Sequence, residues 1–282
     1  MKSHVLNLFI HQRRGLILAG TALTLAAWWP PYVCAQTASM VMASTTSTEQ
    51  SGLFAHLLPA FKSSSGIDVK VVALGTGQAL DMGRRGDADI LFVHDQAAEE
   101  NMVAEGWAIQ RFSVMYNDFV IVGPARDPAG VRGGRDAIEA FKKIVASGAK
   151  FISRGDESGT HEMEKIYWKS TGIDPKGAWY VSVGQGMGPV LTMSGELGGY
   201  ALTDRATYAA YRDRTGLQVL VEGDQRMFNP YGVIVVNPQR YPKLNHAGAM
   251  AFAEWITSAE GQAAVAAFRI NGVQMFFPSA AK

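Results

Sequence analysis

The sequence predicts an α/β protein of two lobes, each a mainly parallel sheet flanked by helices, joined by a two-segment hinge. Three observations carry that expectation. From Ser39 onward, short apolar β-prone runs alternate with segments of helical periodicity. Two longer β-prone segments, Ser113 to Val122 and Tyr231 to Val236, are each followed by a proline within two residues and enclose a second helix-and-strand series. That arrangement suits a chain that leaves one lobe and later returns. Finally, about 247 residues remain once the N-terminal leader is set aside, enough for two lobes of ordinary size.

The elements follow in order. Met40 to Ser44 reads as a strand, and Ser51 to Ser64 as a helix in which Leu53, Phe54, Leu57, Leu58 and Phe61 share a face. Val69 to Leu74 is the next strand, residues 77 to 85 a short helix, Asp89 to Val93 a buried strand, and Ala97 to Glu105 a helix closed by Gly106. Within the enclosed series, Asp136 to Ala146, Thr160 to Lys169 and Asp204 to Arg214 read as helices, with Phe151 to Ser153 and Gly199 to Thr203 as strands. Leu244 to Thr257 and Ala259 to Phe268 complete the chain as helices. The expected division is residues 36–118 plus 232–282 for the first lobe and 119–231 for the second. One large domain with both long segments as ordinary core strands is the alternative.

Residues 1–35 have the grammar of a secretory signal peptide. Lys2, Arg13 and Arg14 supply charge, Gly15 to Trp29 an apolar run too short to span a bilayer, and Val33 and Ala35 the small residues of a peptidase site. Cys34, the only cysteine, falls inside this segment, so no disulfide is expected. Its removal turns 26 basic and 25 acidic residues into 23 and 25, a formal charge near −2. That balance lacks the basic footprint of a nucleic-acid binder.

Three polar loops share one design: a strand ends, hydroxyl and glycine residues follow, and a helix begins. They are Ser44-Thr45-Thr46-Ser47-Thr48, Gly75-Thr76-Gly77, and Ser153 to Thr160. Main-chain N–H groups at a helix start and hydroxyls beside them are anion donors, and glycine permits close approach. Each loop alone is also what an ordinary helix cap looks like. Arg154 is the cation placed inside such a loop, where its planar fork could grip a dianion or merely pair with Asp156 or Glu157.

With these residues the chain resembles the tungstate-binding proteins of ABC transporters, within the type II periplasmic binding proteins. The likeness is carried by Thr-Thr-Ser-Thr at 45–48, Gly-Thr-Gly-Gln-Ala-Leu at 75–80, Gly-Asp-Ala-Asp-Ile-Leu at 86–91, the segment 114–124, and Ser-Arg-Gly-Asp-Glu-Ser-Gly-Thr-His at 153–161. The resemblance implies a tetrahedral oxyanion, tungstate or molybdate, held between the lobes. Its contacts would be Thr46, Ser47, Thr76, Arg154, Ser158, Gly159 and Thr160, with Met187 and Gly188 as a fourth group. It further implies a periplasmic monomer that delivers its cargo to a membrane permease, with no cofactor, no metal site and no catalysis. Asp95 stands where that family usually has a small neutral residue.

Phosphate is the alternative ligand, because Arg-x-Asp-x-Ser-Gly-Thr also occurs in phosphate-binding relatives. Phosphate at neutral pH keeps a proton to donate, whereas tungstate and molybdate only accept, so a site of donors without a free acceptor favours the latter. On that reasoning the phosphate reading depends on Asp95. A reading of another class, a secreted hydrolase using Ser158 and His161, rests only on their proximity in the chain. None of His56, His94, His161 and His246 has metal-ligand spacing to another histidine or to the cysteine.

Overall fold

A computed structural model describes residues 38–280, so the expected leader at 1–35 lies outside the described residues. β1 (Ser39–Thr45) leads directly into a short helix α1 (Thr46–Gln50), and α2 (Leu53–Ser65) follows. The helix expected over 51–64 is α2, and α1 is an additional short helix within the expected donor loop. Gly52, at a φ of 83°, turns the chain between them, because a left-handed residue cannot continue a helix and glycine adopts that conformation freely. β2 (Asp68–Leu74), α3 (Thr76–Arg85), β3 (Ile90–Val93) and α4 (Gln96–Ala104) complete the first βα series.

β4 (Ala108–Gly123) is the long strand on which the architecture turns. Beyond it come α5 (Ala137–Ala146), β5 (Phe151–Ser153), α6 (Gly159–Thr171), β6 (Tyr180–Ser182), α7 (Met187–Leu197), β7 (Ala201–Asp204), α8 (Arg205–Thr215) and β8 (Gln218–Val221). β9 (Phe228–Val236) runs back, followed by α9 (His246–Thr257), α10 (Ala259–Ala267) and the short strands β10 (Arg269–Ile270), β11 (Val273–Gln274) and β12 (Phe277–Pro278). Asp95, Asp136, Ser158, Asp204, Asn245 and Ser258 cap α4, α5, α6, α8, α9 and α10, each side chain accepting a main-chain N–H of the first turn.

The strand order β12-β4-β9-β3-β1-β2 places β4 and β9 side by side. β4 changes partner along its length: from Ala108 to Asp118 it pairs with β9, and from Phe119 to Gly123 with β7 and β8. Where the βα series runs regularly the pairing is parallel, β1 with β2 and β3, and β5 with β6. β4 and β9 pair antiparallel with each other and with their other neighbours, so the eight-stranded sheet they belong to is mixed, and the pairings of β4 with β7 and β8 are all antiparallel. The reason is directional: β4 carries the chain out and β9 carries it back.

Each side of this crossing has its own apolar core. Phe54, Phe61, Phe92, Tyr231, Phe252 and Phe276 pack around β1, β3 and β9. Phe119, Phe141, Phe151, Trp168, Tyr200 and Leu202 pack around β5 and β7. Trp168 alone lies against Phe141, Phe151 and Trp179 at centroid distances of 4.4, 5.0 and 5.4 Å. Burial of aromatic rings on this scale fixes β5, and with it the loop that begins at Arg154. No described helix is long and apolar enough to cross a membrane.

Candidate functional site

At the end of β1, Thr45 takes the capping role: its backbone is extended and its Oγ1 accepts the Thr48 N–H at 3.3 Å. Thr46 and Ser47 are thereby left for other partners. In the second loop Gly75 precedes α3, and the Thr76 hydroxyl oxygen accepts the Gly159 N–H at 2.9 Å. The third loop turns sharply at Gly155, where φ is 60° and an added Cβ would collide with the Ser182 hydroxyl. Only glycine suits that position, and the turn swings Arg154 and Asp156 to the same side.

Arg154 is buried, at 1% exposure. Its Nε and Nη2 donate to Asp156 Oδ2, with Nε at 3.1 Å, and Nη2 reaches Thr46 Oγ1 at 3.4 Å. Nη1 has no hydrogen-bond partner among the described residues, nor has the buried Thr160 Oγ1. A guanidinium that keeps donors unpaired inside a protein is costly unless an acceptor joins it, so this is where an anion is favoured. Asp156 is fully occupied in return, because its Oδ1 accepts the Ser158 N–H at 3.2 Å.

The expected residues divide by what they do. Thr46, Ser47, Thr76, Arg154 and Gly159 meet between loops that are distant in sequence. Ser158 caps α6, its Oγ accepting the main-chain N–H of His161 at 3.3 Å, while Thr160 stands beside it with its hydroxyl unpaired. The His161 ring does not face Ser158 as a base would, since its Nδ1 accepts the Glu157 N–H at 3.1 Å. Met187 is fully buried in the apolar cluster with Ile152, Val190 and Leu191. Gly188 donates its N–H to Gln50 Oε1 at 2.9 Å, so that amide is already paired within the protein. Asp95 caps α4, its Oδ1 accepting the Ala98 N–H at 3.1 Å, and it lines a cavity together with His94 and Gly159.

Four functional residues escaped the sequence reading. Gln50 ties α1 to the start of α7, and Thr207 Oγ1 donates to the Ser47 carbonyl at 3.0 Å, tying α1 to α8. His94 lies under the first loop, with Nε2 3.3 Å from Ser47 Oγ and Nδ1 3.0 Å from Asn229 Oδ1. Burial pushes its pKa down to about 4, opposed by the Asn229 hydrogen bond and aided by the Arg154 charge, so the ring is neutral at neutral pH. Asp204 is buried with one carboxylate oxygen unpartnered, and burial raises its pKa against the pull of Thr207 and Arg154. The only sequence signal for Asp204 was its place before a helix, which announces a cap and nothing more.

The site is therefore a set of hydroxyl, amide and guanidinium donors gathered from both sides of the β4–β9 crossing. Such a set can bind and desolvate an anion; among the described residues no group of three His, Cys, Asp or Glu is arranged to hold a metal ion.

A family model described as a PBP superfamily domain matches residues 33–260. The tungstate-binding protein TupA of Peptoclostridium acidaminophilum is 49% identical over 248 residues, spanning 86% of this chain and 87% of that protein. The tungstate-binding protein TupA of Campylobacter jejuni is 38% identical over 235 residues, spanning 82% and 87%. Among solved structures, the tungstate-binding protein TupA from Desulfovibrio alaskensis G20 superposes with a TM-score of 0.74 at 45% identity, over 86% of this chain and 100% of that one. That of the tungstate ABC transporter from Geobacter sulfurreducens gives a TM-score of 0.76 at 48% identity, over 82% and 98%. Fold and sequence agree along nearly the whole described length, and the chain belongs to the PBP superfamily and, within it, to the family of these tungstate-binding proteins.

Proposed function

We propose that this protein is the solute-binding component of an ABC importer, that it captures tungstate or molybdate between two lobes, and that it hands the anion to a membrane permease. The observation that carries the reading is the buried Arg154 guanidinium, whose Nη1 has no hydrogen-bond partner among the described residues while its Nη2 reaches Thr46 Oγ1. The oxyanion would be held by Arg154, Thr46, Ser47, Thr76 and Thr160, with Gly159 tying the third loop to Thr76 and Ser158 ordering that loop. The lobes are residues 36–118 plus 232–282 and 119–231, the first meeting the anion and the second closing on it. Closure excludes water and strengthens each donor's interaction with the charge. The working form is a periplasmic monomer, exported by its leader, and it returns its ligand chemically unchanged.

A phosphate reading is favoured by one feature, the unpartnered carboxylate oxygen of buried Asp204, which could accept the proton that phosphate retains. Calorimetric titration of the mature protein with tungstate, molybdate, sulfate and phosphate separates the two. Tight tungstate and molybdate binding with weak phosphate binding is expected. Tight phosphate binding without a response to tungstate would reverse the assignment.

A further inference from the structure

Asn117 on β4 and Asn229 on β9 face each other across the two strands that cross between the lobes. Both are 1% exposed, and they sit in an unbroken line of buried polar side chains that ends in the first anion loop. Asn117 Nδ2 lies 3.5 Å from Asp204 Oδ1, Asn229 Nδ2 lies 2.7 Å from Asn117 Oδ1, His94 Nδ1 lies 3.0 Å from Asn229 Oδ1, and Ser47 Oγ lies 3.3 Å from His94 Nε2. Beyond Ser47, Thr45 Oγ1 is 3.1 Å from Ser47 Oγ and 2.7 Å from Thr48 Oγ1.

The direction of this line follows from its anchored end. Asp204 Oδ1 accepts the Thr207 main-chain N–H at 2.9 Å, and a main-chain N–H can only donate. Asn117 must therefore turn its amide nitrogen to Asp204 and its oxygen to Asn229. Asn229 must in turn present its oxygen to His94. A neutral imidazole that donates from Nδ1 has only an acceptor left at Nε2, so the Ser47 hydroxyl proton points to His94. Thr45 then donates to Ser47, and Thr48 to Thr45. The His94 ring is stacked 4.8 Å from that of Tyr231.

We propose that Asn117 and Asn229 are positioning residues of the oxyanion site, which fix His94 with its proton on Nδ1 and thereby hold the Ser47 hydroxyl as a donor to the ring before any anion arrives, leaving the Ser47 main-chain N–H rather than its hydroxyl for the oxyanion. The proposal rests on the oxyanion-binding reading for its consequence, though not for its geometry. Burial keeps the ring neutral, as its depressed pKa requires. A loop ordered in advance loses less freedom on binding, so the chain raises affinity without touching the anion. It also links the crossing strands to the loop, so that a rotation of one lobe which disturbs the asparagine pair is felt at Ser47.

The test is nitrogen-15 NMR of the His94 ring in the anion-free mature protein, with His94→Gln used to assign the signals. A proton on Nδ1 and a bare Nε2 are expected. Asn229→Leu, of similar size but without acceptor or donor, is expected to let the Nε2–H tautomer appear and to weaken tungstate binding about tenfold. Asn117→Leu is expected to act in the same sense by a smaller factor. A wild-type ring protonated on Nε2, or an Asn229→Leu protein with unchanged tautomer and affinity, would overturn the proposal. If Asn229→Leu fails to fold, the wild-type tautomer and Asn117→Leu decide it. A wild-type protein with the Nδ1 proton that ignores tungstate would count against the functional reading and leave the chain standing.

Discussion

The Gly159 amide nitrogen lies 2.9 Å from the Thr76 hydroxyl oxygen, although 83 residues separate the two. This hydrogen bond brings the second and third donor loops into direct contact across the cleft. It also shows why glycine stands at 159: an added Cβ would lie 3.2 Å from Thr76 Oγ1 and 3.3 Å from His94 Cε1. Gly159→Ala should hold the lobes slightly apart and weaken oxyanion binding about tenfold, the equivalent of roughly one hydrogen bond. Because alanine favours helix, the thermal unfolding midpoint should change little. Titration calorimetry beside a melting curve separates the two effects.

Arg154→Ala removes the buried guanidinium that joins Asp156 to Thr46 and keeps Nη1 unpaired. A loss of about 3 to 5 kcal/mol in oxyanion binding is expected, since a desolvated dianion would lose its full counter-charge. Thr46→Ala should cost about 1 to 3 kcal/mol, the range for one donor at a buried oxygen. Equal affinities of wild type and Arg154→Ala in equilibrium dialysis would remove Arg154 from the site.

Gln50 Oε1 accepts the Gly188 N–H at 2.9 Å and so ties α1 to the start of α7. Gln50→Ala should therefore weaken tungstate, molybdate and sulfate by a similar factor, about fivefold, from the loss of one hydrogen bond. A change in the ratio between anions would show instead that Gln50 reads the ligand.

Asp95→Asn keeps the cap on α4, because asparagine caps as well as aspartate. Affinity for every oxyanion should stay within about twofold, a change of under 0.5 kcal/mol. A large gain for tungstate would mean that the carboxylate reaches the site after all.

His94 sets a pH dependence of stability. Its pKa is about 4 in the folded protein against 6.5 for the free side chain. Between those values the unfolded chain binds a proton that the folded protein refuses, so stability should fall as pH is lowered from 6.5 towards 4. Buried Glu99, whose pKa burial raises to about 7 despite Arg111, works in the opposite sense: its contribution is lost as pH rises towards 7. The difference between wild type and His94→Gln in urea unfolding isolates the histidine. The gap should shrink or reverse as the medium is acidified, because only the wild type loses stability through this ring.

Much of the fold was legible because its signals are local. The apolar face of Leu53, Phe54, Leu57 and Phe61, the four-residue run Ile90–Val93, and the aspartates ahead of α5 and α8 all act within one or two turns of chain. The short helix α1 was missed because Thr46–Gln50 is only five residues of polar side chains, too few to show a helical period. Short strands such as β6 and β8 carry too few residues to show a period. Within the site, the donor loops could be found from hydroxyl and glycine residues at strand ends. His94, Asn117 and Asn229 could not, since single polar residues in apolar strands look like ordinary satisfied core groups.

The sequence by itself determined the order of the longer strands and helices, the three donor loops and the near-neutral charge, because periodicity, capping and composition depend on neighbours along the chain. Tertiary structure alone decided which of those donors are free. Gly188 bound to Gln50, Gly159 bound to Thr76, and Arg154 buried against Thr46 with one nitrogen unpaired are outcomes of contacts between distant segments. A hydrogen-bonding group is defined by the partner it has already taken, and that partner is chosen only when the two lobes are packed.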